Sequence, residues 1–385
     1  MIDKYLPYST QWIEEDDIDA VVDVLRGTYL TTGPTIDAFE RAFAEYVGAP
    51  YAVAFSSGTA ALHAAVLAAG IGPGDEVITT PMTFAATSNA VLYAGGVPVF
   101  ADIRPDTYNI DVADVERKIT SRTKALLPVD YTGQPADLGP LRELADQYRL
   151  LLIEDAAHAL GATYRGRRVG SIADMTIFSF HPVKHITTGE GGMVTTHRED
   201  LAERLRLIRS HGIVRDPTKW SKNEGPWYYE MHDLGYNYRM TDIQAALGLS
   251  QLKKVDRFIV LRKKYAAMYN AAFADNDALI VPYQSPDGSS SWHLYVLRLR
   301  LEALSITRRE IFDALIRENI GVNVHYIPVY WHPYYAGLGY RRGLCPEAER
   351  HYEAIITLPL YPKMIERDVI DVIDAIDRIV KRGKR

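Results

Sequence analysis

One lysine, one aspartate, a strand-end turn of small hydroxyl residues and one phenylalanine occur in an order that suits carbonyl chemistry. Lys184 lies in the stretch 178–192, FSFHPVKHITTGEGG. The β-branched and aromatic run Thr176-Ile177-Phe178-Ser179-Phe180 reads as a buried strand, which breaks at Pro182 and passes through Gly189, Gly191 and Gly192 into a second short strand. Taken alone, such a lysine is a solvated loop residue; beside Ser179 at a strand end it is placed for an aldehyde. Asp155 ends the apolar run Leu150-Leu151-Leu152-Ile153. Ligands of open α/β sheets bind just outside the carboxyl ends of the strands. A carboxylate there can hold a pyridinium proton, because an opposite charge nearby favours the charged form.

Upstream, Ser57, Gly58 and Thr59 join a strand at 52–55 to an alanine-rich helix at 60–69. Free amides at a helix start, with small hydroxyls beside them, cradle an anion such as phosphate. Phe84 follows another strand end and can stack on a flat ring. Phosphate cradle, ring stacker, pyridinium partner and Schiff-base lysine together describe a site for pyridoxal 5′-phosphate.

Such a set has to be held by a sheet. Strand patterns fall at 51–55, 76–80, 97–101, 124–129, 150–154, 174–180 and 192–196, with helical patterns near 59–69, 84–94, 111–119 and 137–148. That alternation predicts an α/β fold with a mostly parallel seven-stranded sheet and helices on both faces. A long helix is expected over 241–270, and the polar, aperiodic 216–226 reads as a mobile loop. Residues 275–291 shift to Asp, Asn, Pro, Gly and Ser, the best hinge into a smaller α+β domain. There a strand runs to 301, a capping box at Thr307 and Glu310 launches a helix, a strand covers 322–326 and a helix covers 368–382. The expected division is 1–275 for the large domain with its N-terminal arm and 276–385 for the small one.

At 385 residues, with 47% hydrophobic and 24% charged residues, the chain has the make-up of an ordinary globular protein. Its net charge of −6 is spread without long blocks, so neither nucleic acid nor membrane is an expected partner. A lone cysteine, Cys345, and no leader-like or spanning segment fit a cytoplasmic location. His325, His332, His351 and Cys345 do not repeat a structural zinc spacing, and no metal site is expected.

Over nearly its whole length, from 8–11 to the closing Leu358-Pro359-Leu360-Tyr361-Pro362, the chain resembles the DegT/DnrJ/EryC1/StrS nucleotide-sugar aminotransferases of fold type I. The resemblance implies further roles. His158 would lie near the cofactor ring and its 3′-hydroxyl, although a helix-start histidine satisfying its own backbone is the plainer alternative. Ser179 would bind the cofactor, and Asn237 would reach the cofactor phosphate of a neighbouring subunit, so a homodimer with shared sites is implied. Tyr8 on the N-terminal arm, Gln134 in Gly133-Gln134-Pro135, Arg215, His325 and Tyr326 are candidate substrate contacts. Arg215, Lys219 and Lys222 could meet a diphosphate, while solvated surface suits any one of them as well. The cluster of His325, Tyr326, Tyr330, Trp331, Tyr334 and Tyr335 would be either a platform for uracil and sugar or simply core.

Within the family, 178–192, Ser210-His211-Gly212, 235–241, 245–253 and Val324-His325-Tyr326 are most similar to enzymes that aminate a UDP-linked 4-keto-6-deoxy-N-acetyl-β-L-altrosamine, a pseudaminic acid reaction. L-glutamate is the donor the resemblance suggests. Other 4-keto sugars, bacillosamine-type, dTDP-linked or GDP-linked, remain open, as does a regulator that binds without turnover. Dehydratase relatives carry histidine at the lysine position; Lys184, flanked by His181 and His185, points to transamination instead.

Overall fold

The computed structural model describes residues 4–384. Seven strands form the main sheet: β1 (Tyr51–Phe55), β2 (Glu76–Thr79), β3 (Val97–Phe100), β4 (Thr123–Leu127), β5 (Leu151–Asp155), β6 (Met175–Ser179) and β7 (Gly192–Thr196). Their spatial order is β1-β7-β6-β5-β4-β2-β3. Strands β3, β2, β4, β5 and β6 pair in parallel, and β7 runs against both β6 and β1. The mostly parallel sheet expected from the apolar runs is therefore present.

Helices α1 (Glu15–Arg26) and α2 (Pro34–Val47) precede the sheet, and α3 (Gly58–Ala68), α4 (Ala86–Tyr93), α5 (Val112–Lys118) and α6 (Leu138–Tyr148) fill its crossovers. Side chains alternate across the sheet with period two. Val53, Phe55, Ile153, Ile177 and Val194 pack with the alanines of α3, whose small side chains let the helix lie close. Ala52, Ala54, Phe178 and Met193 pack the other way, with Phe39 and Phe43 of α2. The ring of Phe43 meets Phe178 edge-on at 5.0 Å and Phe180 at 5.5 Å. Each such ring contributes about 1.5–3 kcal/mol by burial, and together they fix the strand that leads to Lys184.

Beyond β7, α7 (Glu199–Arg209) is followed by α8 (Asp242–Leu252) and α9 (Val255–Phe273). The single helix expected over 241–270 is thus two. The break falls where the amides of Lys253 and Lys254 tighten onto the carbonyls of Ser250 and Gln251. There the Lys254 ammonium lies 3.1, 2.5 and 2.8 Å from Glu14, Asp16 and Asp17 at the start of α1. Residues 213–232 form a short hairpin, Ile213–Val214 against Glu230–Met231, tied by Glu230, which accepts from Ser221 and Tyr228.

The small domain carries an antiparallel sheet of β8 (Leu279–Ile280), β9 (Tyr295–Leu299) and β10 (Ile355–Leu358), covered by α10 (Arg308–Arg317) and α12 (Glu366–Gly383), with α11 (Pro346–Ala354) leading into β10. The Thr307–Glu310 capping box is formed. The strand expected at 322–326 is not: Asn323 makes one isolated bridge to Thr357, after which Pro328, lacking an N–H, cannot extend a ladder. The cores change hands within α9, ahead of residue 275. Val255 and Ile259 belong with α2 and α8, whereas Tyr265, Tyr269 and Phe273 belong with the small domain. Leu6 of the N-terminal arm also packs in the small-domain core. Fully buried Arg262 of α9 joins both sides, Nη1 donating to the carbonyls of Trp292 (3.3 Å), His293 (3.0 Å) and Leu360 (2.8 Å). No helix among the described residues is long and apolar enough to cross a membrane.

Candidate active site

The parallel strands deliver their carboxyl ends to one rim of the sheet, as a doubly wound fold must, and a cavity of about 760 Å³ opens there. Asp155, the last residue of β5, is buried in its wall. Its Oδ2 accepts from the Thr87 hydroxyl at 2.7 Å and its Oδ1 from the Ala157 amide at 3.1 Å. Thr87 Oγ1 in turn lies 2.7 Å from Thr83 Oγ1. Burial raises the Asp155 pKa, opposed by these hydrogen bonds and by the charge of Lys184.

Lys184 reaches the same cavity from the loop between β6 and β7. Its backbone amide donates to the His181 carbonyl, while Nζ has no hydrogen-bond or ion-pair partner among the described residues. Desolvation along the cavity wall lowers the ammonium pKa to about 8, with Asp155 pulling the other way. The result is an amine poised for use near neutral pH.

Ser57 caps α3, its Oγ accepting from the Ala60 amide at 3.1 Å, and Ser57, Gly58 and Thr59 line the cavity. Two glycines let this turn sit where it does. A Cβ on Gly58 would lie 3.0 Å from Ser179 Oγ, and one on Gly192 would lie 2.5 Å from the Ser57 carbonyl oxygen. The two glycines thus let the Ser57–Thr59 turn pack against the ends of β6 and β7, and the first amides of α3 with the neighbouring hydroxyls suit a phosphate. Ser179, at the end of β6, lines the cavity as well. Cradle, buried carboxylate and unpartnered amine fit the phosphate, the ring nitrogen and the aldehyde of pyridoxal 5′-phosphate.

The other expected residues divide. Phe84 stands at the mouth, 64% exposed, its ring 6.4 Å from that of Tyr326. His158 is buried with Nε2 3.0 Å from the Tyr326 hydroxyl, and burial keeps it neutral. Tyr8 packs on His325 at 5.5 Å, and His325 Nδ1 is 2.9 Å from Thr357 Oγ1. All of these line the cavity. Gln134 does not: its buried amide donates to the Tyr283 carbonyl at 3.3 Å and accepts from the Ser285 amide at 2.7 Å, tying a sheet loop to the hinge. Arg215 lies over the Tyr229 ring at 5.3 Å in the hairpin, and Lys219 and Lys222 are paired with Glu203 and Glu224. None of these cations lines the cavity. Asn237 is exposed, bridged to Ser210, and does not line the cavity of its own chain. Tyr330 and Tyr335 are core residues against Phe100, and Trp331 donates to Glu349, so of the aromatic cluster the cavity keeps His325 and Tyr326. Thr83, Thr87, His293, Asn323 and Glu190 line it unforeseen; two threonines four apart after a strand end were the available signal for the first pair.

The family model described as DegT/DnrJ/EryC1/StrS aminotransferase matches residues 11–377. The chain belongs to this family. Among its relatives, the spore coat polysaccharide biosynthesis protein SpsC of Bacillus subtilis is 45% identical, over 98% of this chain and 97% of that one. The UDP-4-amino-4,6-dideoxy-N-acetyl-beta-L-altrosamine transaminase of Campylobacter jejuni is 39% identical over 99% of each chain. Among solved structures, Spr1654 of Streptococcus pneumoniae, described as a sugar aminotransferase and solved in its PLP-form, superposes with a TM-score of 0.92 at 33% identity, covering 98% of this chain and 99% of that one. The protein is a sugar aminotransferase of the PLP-dependent transferase fold, and its cofactor is pyridoxal 5′-phosphate.

Proposed function

We propose that this enzyme moves an amino group from L-glutamate to C4 of a UDP-linked 4-keto-6-deoxy sugar, the β-L-altrosamine derivative being the first choice. The placement of Lys184 and Asp155 in one cavity beneath the α3 N-terminus carries the chemical part of this reading. The Campylobacter relative supports the sugar. The higher identity to the Bacillus spore coat protein favours a second reading, another 4-keto nucleotide sugar bound for a surface polysaccharide.

Bound pyridoxal 5′-phosphate supplies a carbon that can carry the amino group and a ring that withdraws electrons from its neighbour. Ser57, Gly58, Thr59 and Ser179 would hold the phosphate, and Asp155, oriented by Thr87, would keep a proton on the ring nitrogen. Lys184 Nζ would take a proton from the donor Cα in one half reaction and deliver one to sugar C4 in the other, and its face of approach would set the configuration there. Tyr8, His325 and Tyr326 would line the sugar. Asn237, exposed and outside the lining of its own cavity, is the residue proposed to serve the site of a second copy in a homodimer.

Adding L-glutamate to the loaded enzyme should bleach its visible absorption, and the UDP-4-keto-L-altrosamine derivative should restore it. Restoration by another 4-keto nucleotide sugar alone would move the pathway. A spectrum for Lys184→Ala indistinguishable from that of the natural chain would sink the proposed role of the lysine.

A further inference from the structure

Behind Asp155 lie two acids for which the chemistry above has no use. Glu154 precedes Asp155 on β5 and so points to the other face of the sheet, and Asp130 follows β4, its amide donating to the Asp155 carbonyl at 3.1 Å. Both side chains are wholly buried. Asp130 Oδ1 accepts from the Ala136 amide at 2.8 Å, and Glu154 Oε2 accepts from the Thr176 hydroxyl of β6 at 2.7 Å. The remaining oxygens, Oδ2 of Asp130 and Oε1 of Glu154, have no donor, although the two carboxyl groups are within hydrogen-bonding reach of each other. Around the pair stand Thr176, the amides of Ala136 and Gly170, and a third acid, Asp155. No lysine, arginine or histidine among the described residues forms an ion pair with either. Two buried carboxylates in contact without a cation cannot both be ionised.

We infer that Asp130 and Glu154 hold one proton between Oδ2 and Oε1, and that this acid–carboxylate pair is a positioning unit seating loop 130–136 on the strand end that bears Asp155. The loop is worth seating. Its Tyr131 hydroxyl donates to the carbonyl of His325 in the cavity wall, and its Gln134 holds the hinge through Tyr283 and Ser285. Burial is the main cause that raises the pKa of both partners. The charge of Glu154 adds to it at Asp130 and that of Asp155 at Glu154, where the hydrogen bond with Asp130 pulls the other way, and the pair so retains a proton where exposed carboxyls have lost theirs. When alkali removes it, two like charges face each other and the loop lifts. The effect on turnover rests on the role proposed for Asp155; the shared proton does not.

Infrared spectra of the full, cofactor-loaded chain at neutral pH test this. A protonated-carboxyl C=O band is expected that survives Asp155→Asn and disappears in both Asp130→Asn and Glu154→Gln. Either variant suffices should the other fail to fold. Raising the pH should remove the band and speed hydrogen exchange of the 131–136 amides in the natural chain. Asp130→Asn should hold exchange level over that range, because its amide donates to an ionised Glu154. Absence of the band from the natural chain, or its survival in both pair variants, overturns the shared proton. An equal alkaline rise in exchange with and without Asp130→Asn overturns the positioning role. If Asp155→Asn leaves the cofactor absorption unchanged while the band behaves as expected, the role of Asp155 falls and the pair stands.

Discussion

The hydroxyl of Thr87 donates to Oδ2 of Asp155 across 2.7 Å, so a side chain at the head of α4 holds the carboxylate that ends β5. That contact decides where the carboxylate points, and it joins two elements that are neighbours only in space. A buried acceptor deprived of its donor costs about 1–3 kcal/mol. Thr87→Val keeps the shape and removes the donor. It is expected to lower stability by about that amount in chemical denaturation and to slow turnover by roughly tenfold, with the cofactor absorption shifted. A spectrum and rate equal to those of the natural chain would show Asp155 to be oriented by other means.

The lysine makes a pH prediction. Only the neutral amine captures an aldehyde. With a pKa lowered to about 8, Lys184 is neutral in about a tenth of molecules at neutral pH, against under about a thousandth for an ordinary lysine. Capture of added pyridoxal 5′-phosphate by cofactor-free chain should accelerate as pH rises through about 8 and level off above. Asp155→Asn removes the charge that holds the ammonium, so its midpoint should move to lower pH. A midpoint in the ordinary lysine range would contradict the desolvated position.

Gly192 is a packing requirement. Its Cβ would meet the Ser57 carbonyl at 2.5 Å and the Gly58 Cα at 2.9 Å, both backbone atoms with little freedom to retreat. Gly192→Ala should push the α3 turn out of place and weaken cofactor affinity by at least about tenfold, while circular dichroism still reports the fold. Unchanged affinity in a cofactor titration would argue against Ser57–Thr59 as the phosphate cradle.

Gln134 and Arg215 give the opposite expectation. Gln134→Ala should leave the sugar KM within about twofold and reduce stability by about 1 kcal/mol, the cost of losing two part-buried hydrogen bonds. Arg215→Ala, which loses an exposed ring contact, should change stability by less than about 1 kcal/mol. A tenfold rise in KM for either would return it to the substrate.

The strands were legible because parallel strands buried on both faces leave near-continuous apolar runs, and Asp155 and Lys184 because strand ends mark the ligand rim. The break between α8 and α9 was not, since apolar spacing continues across Lys253 and Lys254 and the interruption is fixed by acids some 240 residues earlier in the chain. The wall strand expected at 322–326 misled because a run such as Val322-Asn323-Val324 has strand composition whether or not a neighbour pairs with it. Neither the family resemblance at Gln134 nor the polar loop around Arg215 reveals that a backbone carbonyl and amide engage the one and a tyrosine ring the other.

Arg262 bears on how substrate gets in. Its guanidinium carries no carboxylate partner among the described residues, and burial lowers its pKa to about 9. Its grip is on the Trp292, His293 and Leu360 carbonyls, the chain entering the small domain and the turn that follows β10. Charge-assisted bonds in a dry interior are strong, and a rotation of one domain on the other would break them with no water to take their place. The flexible composition of 275–291 is thus a joint welded from the inside. The exposed side chains at the rim of the cavity are Phe84, His181, Glu190 and Ile327, which leaves its opening to the surface independent of that joint.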